Sequence, residues 1–391
     1  VNESYDAVVV GGGPSGATAA EILAKRGWSV LLLDRGGRIK PCGGAIPPRL
    51  IRDFSIPDHL LAARVRSARM VAPSSREVDM PIENGFVGMV DREVFDEYLR
   101  ERAEDAGATR HVGHFENITR DADGVAVVHM TYKGDATPAR VRTRVVIGAD
   151  GAKSGVAAQC IKGAKKMPYV FAYHEIVRAP KTGFDGTRCD VYYQGRLSPD
   201  FYGWVFPHGD TASVGSGSAR KGFSLRRSVG SLRESAGLAG AETIRREGAP
   251  IPMRPLGRWD NGRDVIVAGD AAGVVAPASG EGIYYAMEGG RLAAEAVDQF
   301  LVTGEAKALR QARRRFMRAH GMVFRILGIM QWFWYSSDKR RERFVKICQD
   351  PDVQRLTWDS YMNKQLRRRD PMAHVRIFFK DVAHLLGLAP T

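Results

Sequence analysis

With 391 residues, 44% of them hydrophobic, the chain is long enough for two domains around one cofactor and has the make-up of an ordinary globular protein. Its four cysteines, Cys42, Cys160, Cys189 and Cys348, lie far apart without a C-x-x-C spacing. That argues against a zinc site or a disulfide framework and fits a reducing compartment, so no metal is expected. The net charge of +14 is local: residues 307–346 hold twelve Lys or Arg against Asp338 and Glu342, a contribution of +10.

No secretory signal precedes the first apolar run, and a cytoplasmic location is expected. That run, residues 5–10, ends in Gly11-Gly12-Gly13-Pro14-Ser15-Gly16. An Ala-rich stretch with helical apolar spacing follows to Arg26, then residues 29–33 ending at Asp34, which gives strand, glycine turn, helix, strand. Residues 91–106 read as an amphipathic helix, with Val94, Phe95, Tyr98 and Leu99 at helical spacing, Arg92 in the first turn and Gly107 as the stop. Residues 125–132 and 141–147 alternate like strands between polar turns and predict a small antiparallel sheet. Aromatic-rich β patterns at 169–177, 189–193, 202–206 and 212–215 predict a second sheet domain, with Gly215-x-Gly217 as a strand-end turn. The apolar strand 264–268 and a helix over 288–300 return the chain to the first domain before a helical C-terminal region.

In Gly11-x-Gly13-x-x-Gly16 the missing side chains allow a tight turn and close backbone approach to a pyrophosphate, which the N-terminus of the next helix stabilises. Asp34 can accept hydrogen bonds from ribose hydroxyls, and Ser15 and Arg35 are counted with this set. A strand before, a helix after and an acid at that distance predict nucleotide binding.

Two further motifs select the cofactor. Residues 145–154, from Val145 through Gly148-Ala149-Asp150-Gly151 to Ser154, resemble the internal Asp-Gly motif of the para-hydroxybenzoate hydroxylase-like flavoproteins. Residues 265–273, with Gly269-Asp270, and then Pro277 and Gly280-Glu281-Gly282-Ile283, resemble their Gly-Asp motif. The resemblance implies FAD, with Asp150, Gly269, Asp270, Gly280, Gly282 and Ile283 at the cofactor, Asp270 on the ribityl chain, and Arg92 beside the flavin. An Arg at a helix start is also commonly just a solvated charge. Where many hydroxylases carry an Arg three residues beyond the motif's Ser, this chain has Ala157, so that arginine's role does not transfer. No second G-x-G-x-x-G follows a strand, and a dedicated NADPH domain is not visible.

Lys40-Pro41-Cys42-Gly43-Gly44, together with Pro199-Asp200-Phe201-Tyr202-Gly203-Trp204-Val205-Phe206-Pro207, resembles the paired signature of the geranylgeranyl reductases, a branch of the same superfamily. Residues 44–53, 82–92 and 169–175 resemble the members of bacteriochlorophyll synthesis. The resemblance implies FAD-dependent, NADPH-driven reduction of a geranylgeranyl chain to phytyl, on bacteriochlorophyll or on the free diphosphate. It places Cys42, Gly43 and Gly44 at the flavin. Cys42 is then the leading candidate for proton transfer, with Tyr202 and His174 as further acids. Implied partners are a prenylated pigment or prenyl diphosphate and bacteriochlorophyll synthase. Independently of that resemblance, strand alternation puts Tyr202, Trp204 and Phe206 on one side, with Pro207 ending the strand. Such an aromatic wall suits a long apolar substrate, although an ordinary sheet core shows the same alternation, and a free Cys is more often inert packing. The competing readings are an aromatic-ring monooxygenase of the superfamily, an archaeal-type prenyl-lipid reductase, and a flavin-containing carrier of prenylated pigment.

The expected class is therefore α/β: a Rossmann-type FAD-binding domain over 1–164 and 256–305, an antiparallel-sheet substrate domain over 165–255, and a basic helical region over 306–391. Within the last, residues 321–335 are largely apolar, with Arg325 the only charge. They are fewer than the roughly 20 needed to span a bilayer. Flanked by Arg313-Arg314-Arg315 and Lys339-Arg340-Arg341, the run reads either as an interface-lying helix on anionic lipid or as a buried helix closing the substrate domain. Nucleic acid is a poorer use of the same charge. The expectation is a cytoplasmic protein, peripheral on the inner photosynthetic membrane.

Overall fold

Val8, Leu31, Leu32, Val146 and Ile147 are wholly buried at the parallel centre of a six-stranded sheet. Strands covered on both faces read as continuous apolar runs, which is why these segments lack polar alternation. The structure, a computed structural model, describes residues 3–37, 39–134 and 138–364. The expected C-terminal region beyond 364 lies outside the described residues.

Two units share the chain, each assembled from three segments. The first takes Val1–Cys42, Arg92–Val170 and Pro250–Gly328. In its sheet the strand Glu3–Val10 pairs in parallel with Val30–Asp34 and with Pro138–Gly148, Val8 facing both Leu31 and Val146. Pro138–Gly148 in turn pairs in parallel with Val265–Val267. Thr109–Arg120 begins beside Val30–Asp34 and continues as an antiparallel meander with Ala126–Tyr132 and Pro138–Gly148. The expected small antiparallel sheet is thus continuous with the parallel one. The helix Pro14–Lys25 packs on Ile283–Thr303, and a Cβ on Gly290 would stand 2.1 Å from the Ser15 carbonyl oxygen. The Ala-rich composition of the first helix permits that approach. The second of these helices starts at Ile283, five residues before the start the sequence suggests.

The second unit takes Gly43–Asp91, Phe171–Ala249 and Ile329–Thr391. Its seven-stranded sheet runs Thr243–Pro252, Tyr169–Arg178, Thr211–Ser218, Gly203–His208, Arg188–Tyr192, Ser67–Val71, Glu77–Pro81. Val177, Val205 and Val214 meet Val229 and Leu232 of the helix Leu225–Ser235 on one face. A three-stranded sheet of Ala45–Ile46, Val87–Val90 and Leu61–Val65 completes it.

Three sequence expectations change. Residues 43–91, placed with the first domain, supply Ser67–Val71, which pairs in parallel with Arg188–Tyr192 and so belongs to the second sheet. Pro207 does not end its strand, which runs Gly203–His208; pairing with Arg188–Tyr192 is recorded only as far as Val205, leaving the proline with one partner strand. Gly215-x-Gly217 lies inside Thr211–Ser218 rather than at a turn. A Cβ on Gly215 would come within 2.1 Å of the Trp204 ring and 2.7 Å of His174 Cβ, so this glycine makes room for an indole.

Candidate active site

The first unit presents a nucleotide cradle. Gly11 adopts φ +107°, and its missing Cβ avoids the Ala149 carbonyl at 2.4 Å; a Cβ on Gly16 would stand 1.8 Å from Gly11 O. Gly13 differs, because a Cβ there would meet nothing within 4 Å. This open space lies before the helix Pro14–Lys25, which has no side-chain cap at Gly13. Ser15 Oγ and Thr18 Oγ1 are buried with no hydrogen-bond partner among the described residues. The helix Ile283–Thr303 likewise starts uncapped at Gly282. Bare amides, a positive helix end and an orphaned hydroxyl around empty space fit a dinucleotide diphosphate. Asp34 is oriented by the amides of Gly12 at 3.3 Å and Gly36 at 3.2 Å, and Arg100 lies 3.6 Å from it while donating to Gly12 O at 3.2 Å. Arg35 is exposed beside it.

The downstream motif residues separate into two kinds. Asp150 binds Ser154 Oγ and accepts from the amides of Gly155 at 2.7 Å and Val156 at 3.3 Å, capping a short helix; burial raises its pKa against these bonds. Asp270 is ion-paired with Lys40, so the residue that opens the cysteine motif also touches the Gly-Asp motif. Gly269 at φ +63° would place a Cβ 2.8 Å from Ser15 Cβ, and Gly280 turns at φ +64° just before the buried Ile283.

Arg92 is not a solvated charge. It is buried, donating from Nε to Asp96 at 2.7 Å and from a terminal nitrogen at 2.8 Å. Burial works to lower its pKa, but Asp96 and then the Cys42 sulfur, which accepts a hydrogen bond from it, raise it overall. Cys42 and Arg92, fifty positions apart, are thereby brought together.

In the second unit Tyr202 and Trp204 ring centroids lie 6.0 Å apart and Trp204 and Phe206 6.3 Å apart, in one row. Phe201 stacks on Tyr202 at 4.2 Å. Tyr202 and Trp204 are buried and Phe206 half-buried. The Trp204 indole donates to Ser213 Oγ at 3.1 Å, and His174 reaches that same oxygen from Nδ1 at 2.9 Å. Gly43 packs so tightly on Phe206 that a Cβ would stand 2.8 Å from its ring, and His208 Nε2 lies 3.1 Å from the Gly43 carbonyl oxygen. The two halves of the sequence signature therefore touch. Arg100, Ser213, Glu247 and His208 were missed by sequence reasoning. Arg100 at helical spacing from Glu97 and His208 in the alternation of Trp204 and Phe206 carry weak signals, whereas Ser213 and Glu247 carry none.

A family model described as "FAD binding domain" matches residues 4–170, and one described as "Lycopene cyclase protein" matches 214–382. The geranylgeranyl diphosphate reductase of Rhodobacter capsulatus is 60% identical over 388 residues, 99% of this chain and 98% of that protein. The chain belongs to the geranylgeranyl reductase family. The enzyme of the same name from Synechocystis is 36% identical over 98% of both chains. A crystal structure of a geranylgeranyl bacteriochlorophyll reductase-like protein from Thermoplasma acidophilum shares the fold, with a TM-score of 0.82 at 21% identity over 99% of each chain. As a geranylgeranyl reductase family member the chain is an FAD-class oxidoreductase, and the cradle around Gly13 is where its residues fit that cofactor.

Proposed function

We propose that this reductase saturates a geranylgeranyl chain to phytyl, on bacteriochlorophyll or on geranylgeranyl diphosphate, with NADPH as electron donor. The observation that carries this reading is the packing of Gly43 on Phe206, which joins the cysteine motif to the aromatic row. Gly11, Gly13, Ser15, Gly16 and Asp34 would hold the diphosphate and ribose of FAD, and Asp270, Gly280, Gly282 and Ile283 its far end. When bound and reduced, FAD supplies hydride. Isolated trisubstituted alkenes are too weakly polarised for hydride addition alone, so positive charge must be stabilised at one carbon while a proton reaches the other. The faces of Tyr202, Trp204 and Phe206, buried or half-buried, would offer that stabilisation. Cys42 holds the proton at Sγ, and the thiolate left behind would face the Arg92 guanidinium. Each saturation consumes one NADPH and one proton and adds two hydrogens.

The same reading puts the protein on an anionic bilayer surface. The helix Arg310–Trp334 exposes Met322 (57%), Ile329 (59%) and Trp332 (74%) along one face, with Arg314, Arg318 and Arg325 also exposed. Apolar anchors interspersed with cations suit the headgroup region of such a membrane. No helix among the described residues is long and apolar enough to cross one.

The test is anaerobic incubation of the FAD-loaded protein with NADPH and either geranylgeranyl-bacteriochlorophyll or geranylgeranyl diphosphate, followed by mass spectrometry of the tail. Increments of two hydrogens are expected on one of the two. An unchanged tail on both, or a requirement for oxygen, overturns the proposal.

A further inference from the structure

We propose that His208 is a positioning residue for Cys42: its hydrogen bond to the Gly43 carbonyl clamps the turn on which the thiol is carried. A carbonyl oxygen only accepts, so Nε2 must carry the proton, and the tautomer is set by this contact. The ring is held neutral, its pKa pushed down to about 4 by burial even though the Gly43 bond and Asp91 act the other way. The imidazole is therefore a fixed dipolar donor at physiological pH.

The clamp has a second jaw. Gly44 O accepts from the Val90 amide at 2.9 Å, so neighbouring carbonyls of the turn are held from opposite partners. The two glycines are what admits those partners. A Cβ on Gly44 would stand 2.6 Å from His208 Cε1 and 2.4 Å from Val90 O, and Gly44 holds φ +73°; a Cβ on Gly43 would meet the Phe206 ring. Glycine pairs are commonly read as flexible hinges. Here they let an imidazole, a benzene ring and a strand close onto the backbone, which leaves Gly43 little freedom in ψ. Cys42 is bonded directly to Gly43, so the thiol is carried on a peptide whose far end is held.

The importance of the clamp for turnover rests on the role proposed for Cys42, but the clamp itself can be read without turnover. His208→Leu removes the donor, and His208→Gln keeps an N–H at the end of a side chain of similar reach. The first readout is iodoacetamide alkylation of apoprotein, followed at the Cys42 peptide by mass spectrometry, with the Cys160, Cys189 and Cys348 peptides as controls for global unfolding. Loosening the turn is expected to accelerate Cys42 alkylation about threefold or more in His208→Leu with the control peptides unchanged, since local opening raises access. His208→Gln is expected to stay near the parent. The second readout is turnover with FAD bound, where a 1 Å misplacement can cost as much as about a hundredfold in kcat; a fall of tenfold or more is expected in His208→Leu, largely restored in His208→Gln. Unchanged Cys42 alkylation in a folded His208→Leu, or a His208→Gln protein that alkylates as fast as His208→Leu, overturns the clamp. Faster alkylation with unchanged kcat keeps the clamp and removes the reaction role of Cys42 instead.

Discussion

His174 Nε2 lies 2.9 Å from Glu247 Oε2, and this contact decides what the histidine can do. With Nδ1 on Ser213 Oγ, both ring nitrogens are engaged in a buried chain that ends at the Trp204 indole. Glu247 is held below the usual carboxylate range: burial alone would raise it, and His174 and Arg245 outweigh that. The arrangement orients an aromatic ring. His174→Gln, which can still donate to Glu247, is therefore expected to keep kcat within about tenfold, whereas loss of a general acid costs about 10²–10⁴-fold. A loss in that larger range at saturating substrate would return His174 to the role of proton donor.

Cys42→Ala keeps the cradle residues around Gly13 intact and removes the sulfur that Arg92 meets. FAD content should match the parent while turnover falls by about 10²–10⁴-fold. Undiminished turnover at full flavin occupancy would assign the proton to another group.

Two alanine substitutions in one turn should behave oppositely. Gly16→Ala places a methyl 1.8 Å from Gly11 O and should destabilise the apoprotein, whereas Gly13→Ala enters space the protein leaves open. Apoprotein melting temperature should fall for Gly16→Ala and hold for Gly13→Ala, while FAD titration should show weakened binding in both. Full FAD affinity in Gly13→Ala would place the diphosphate elsewhere.

Acid should loosen the cradle through Glu97. Hydrogen bonds from Arg110, at 2.6 Å, and from Arg100 draw its pKa from 4.5 down to about 2, against some burial. A carboxylate with a depressed folded-state pKa contributes stability above its unfolded value and loses it as pH falls through the folded one. The window is therefore pH 4.5 down to about 2. Glu97 is partly exposed, so solvent screens the effect. Because Arg100 also holds Gly12, FAD retention should decline across the same window, and urea midpoints of Glu97→Gln should depend less on pH there than the parent's. Parallel pH profiles would remove Glu97 from that support.

Membrane attachment should depend on the exposed helix face. Ile329→Ser with Trp332→Ser removes two exposed apolar anchors without touching a buried core. Co-sedimentation with phosphatidylglycerol vesicles at low salt should drop about tenfold or more, in line with the apolar area lost. Unaltered sedimentation of the double variant would move the contact to another surface.

The nucleotide cradle was legible because its instruction is local: strand, glycine turn and helix lie within Glu3–Val10 and Pro14–Lys25. The aromatic row was legible for a similar reason, since Tyr202, Trp204 and Phe206 follow the period of a strand. What escaped depends on partners far along the chain. Ser67–Val71 looks like any short strand, and only its pairing with Arg188–Tyr192 assigns it to the second sheet. Gly215 looked like turn punctuation, and only Trp204 across the ladder explains it. His208 merely continues the alternation of Trp204 and Phe206, and Glu247 carries no mark of its partner. Their contacts, to Gly43 and to His174, join stretches far apart in the chain, which the sequence encodes only jointly.

Each unit is stitched from three stretches of chain, and that interleaving reaches back to synthesis on the ribosome. The strand Val265–Val267 must emerge before the first sheet gains its last member, and Thr243–Pro252 before the second does. Until then the pairings that join distant stretches, such as Glu3–Val10 with Pro138–Gly148 and Ser67–Val71 with Arg188–Tyr192, wait on chain not yet made. Such topologies close slowly and expose unpaired strand edges while they wait. No single uninterrupted fragment of the chain contains either unit alone.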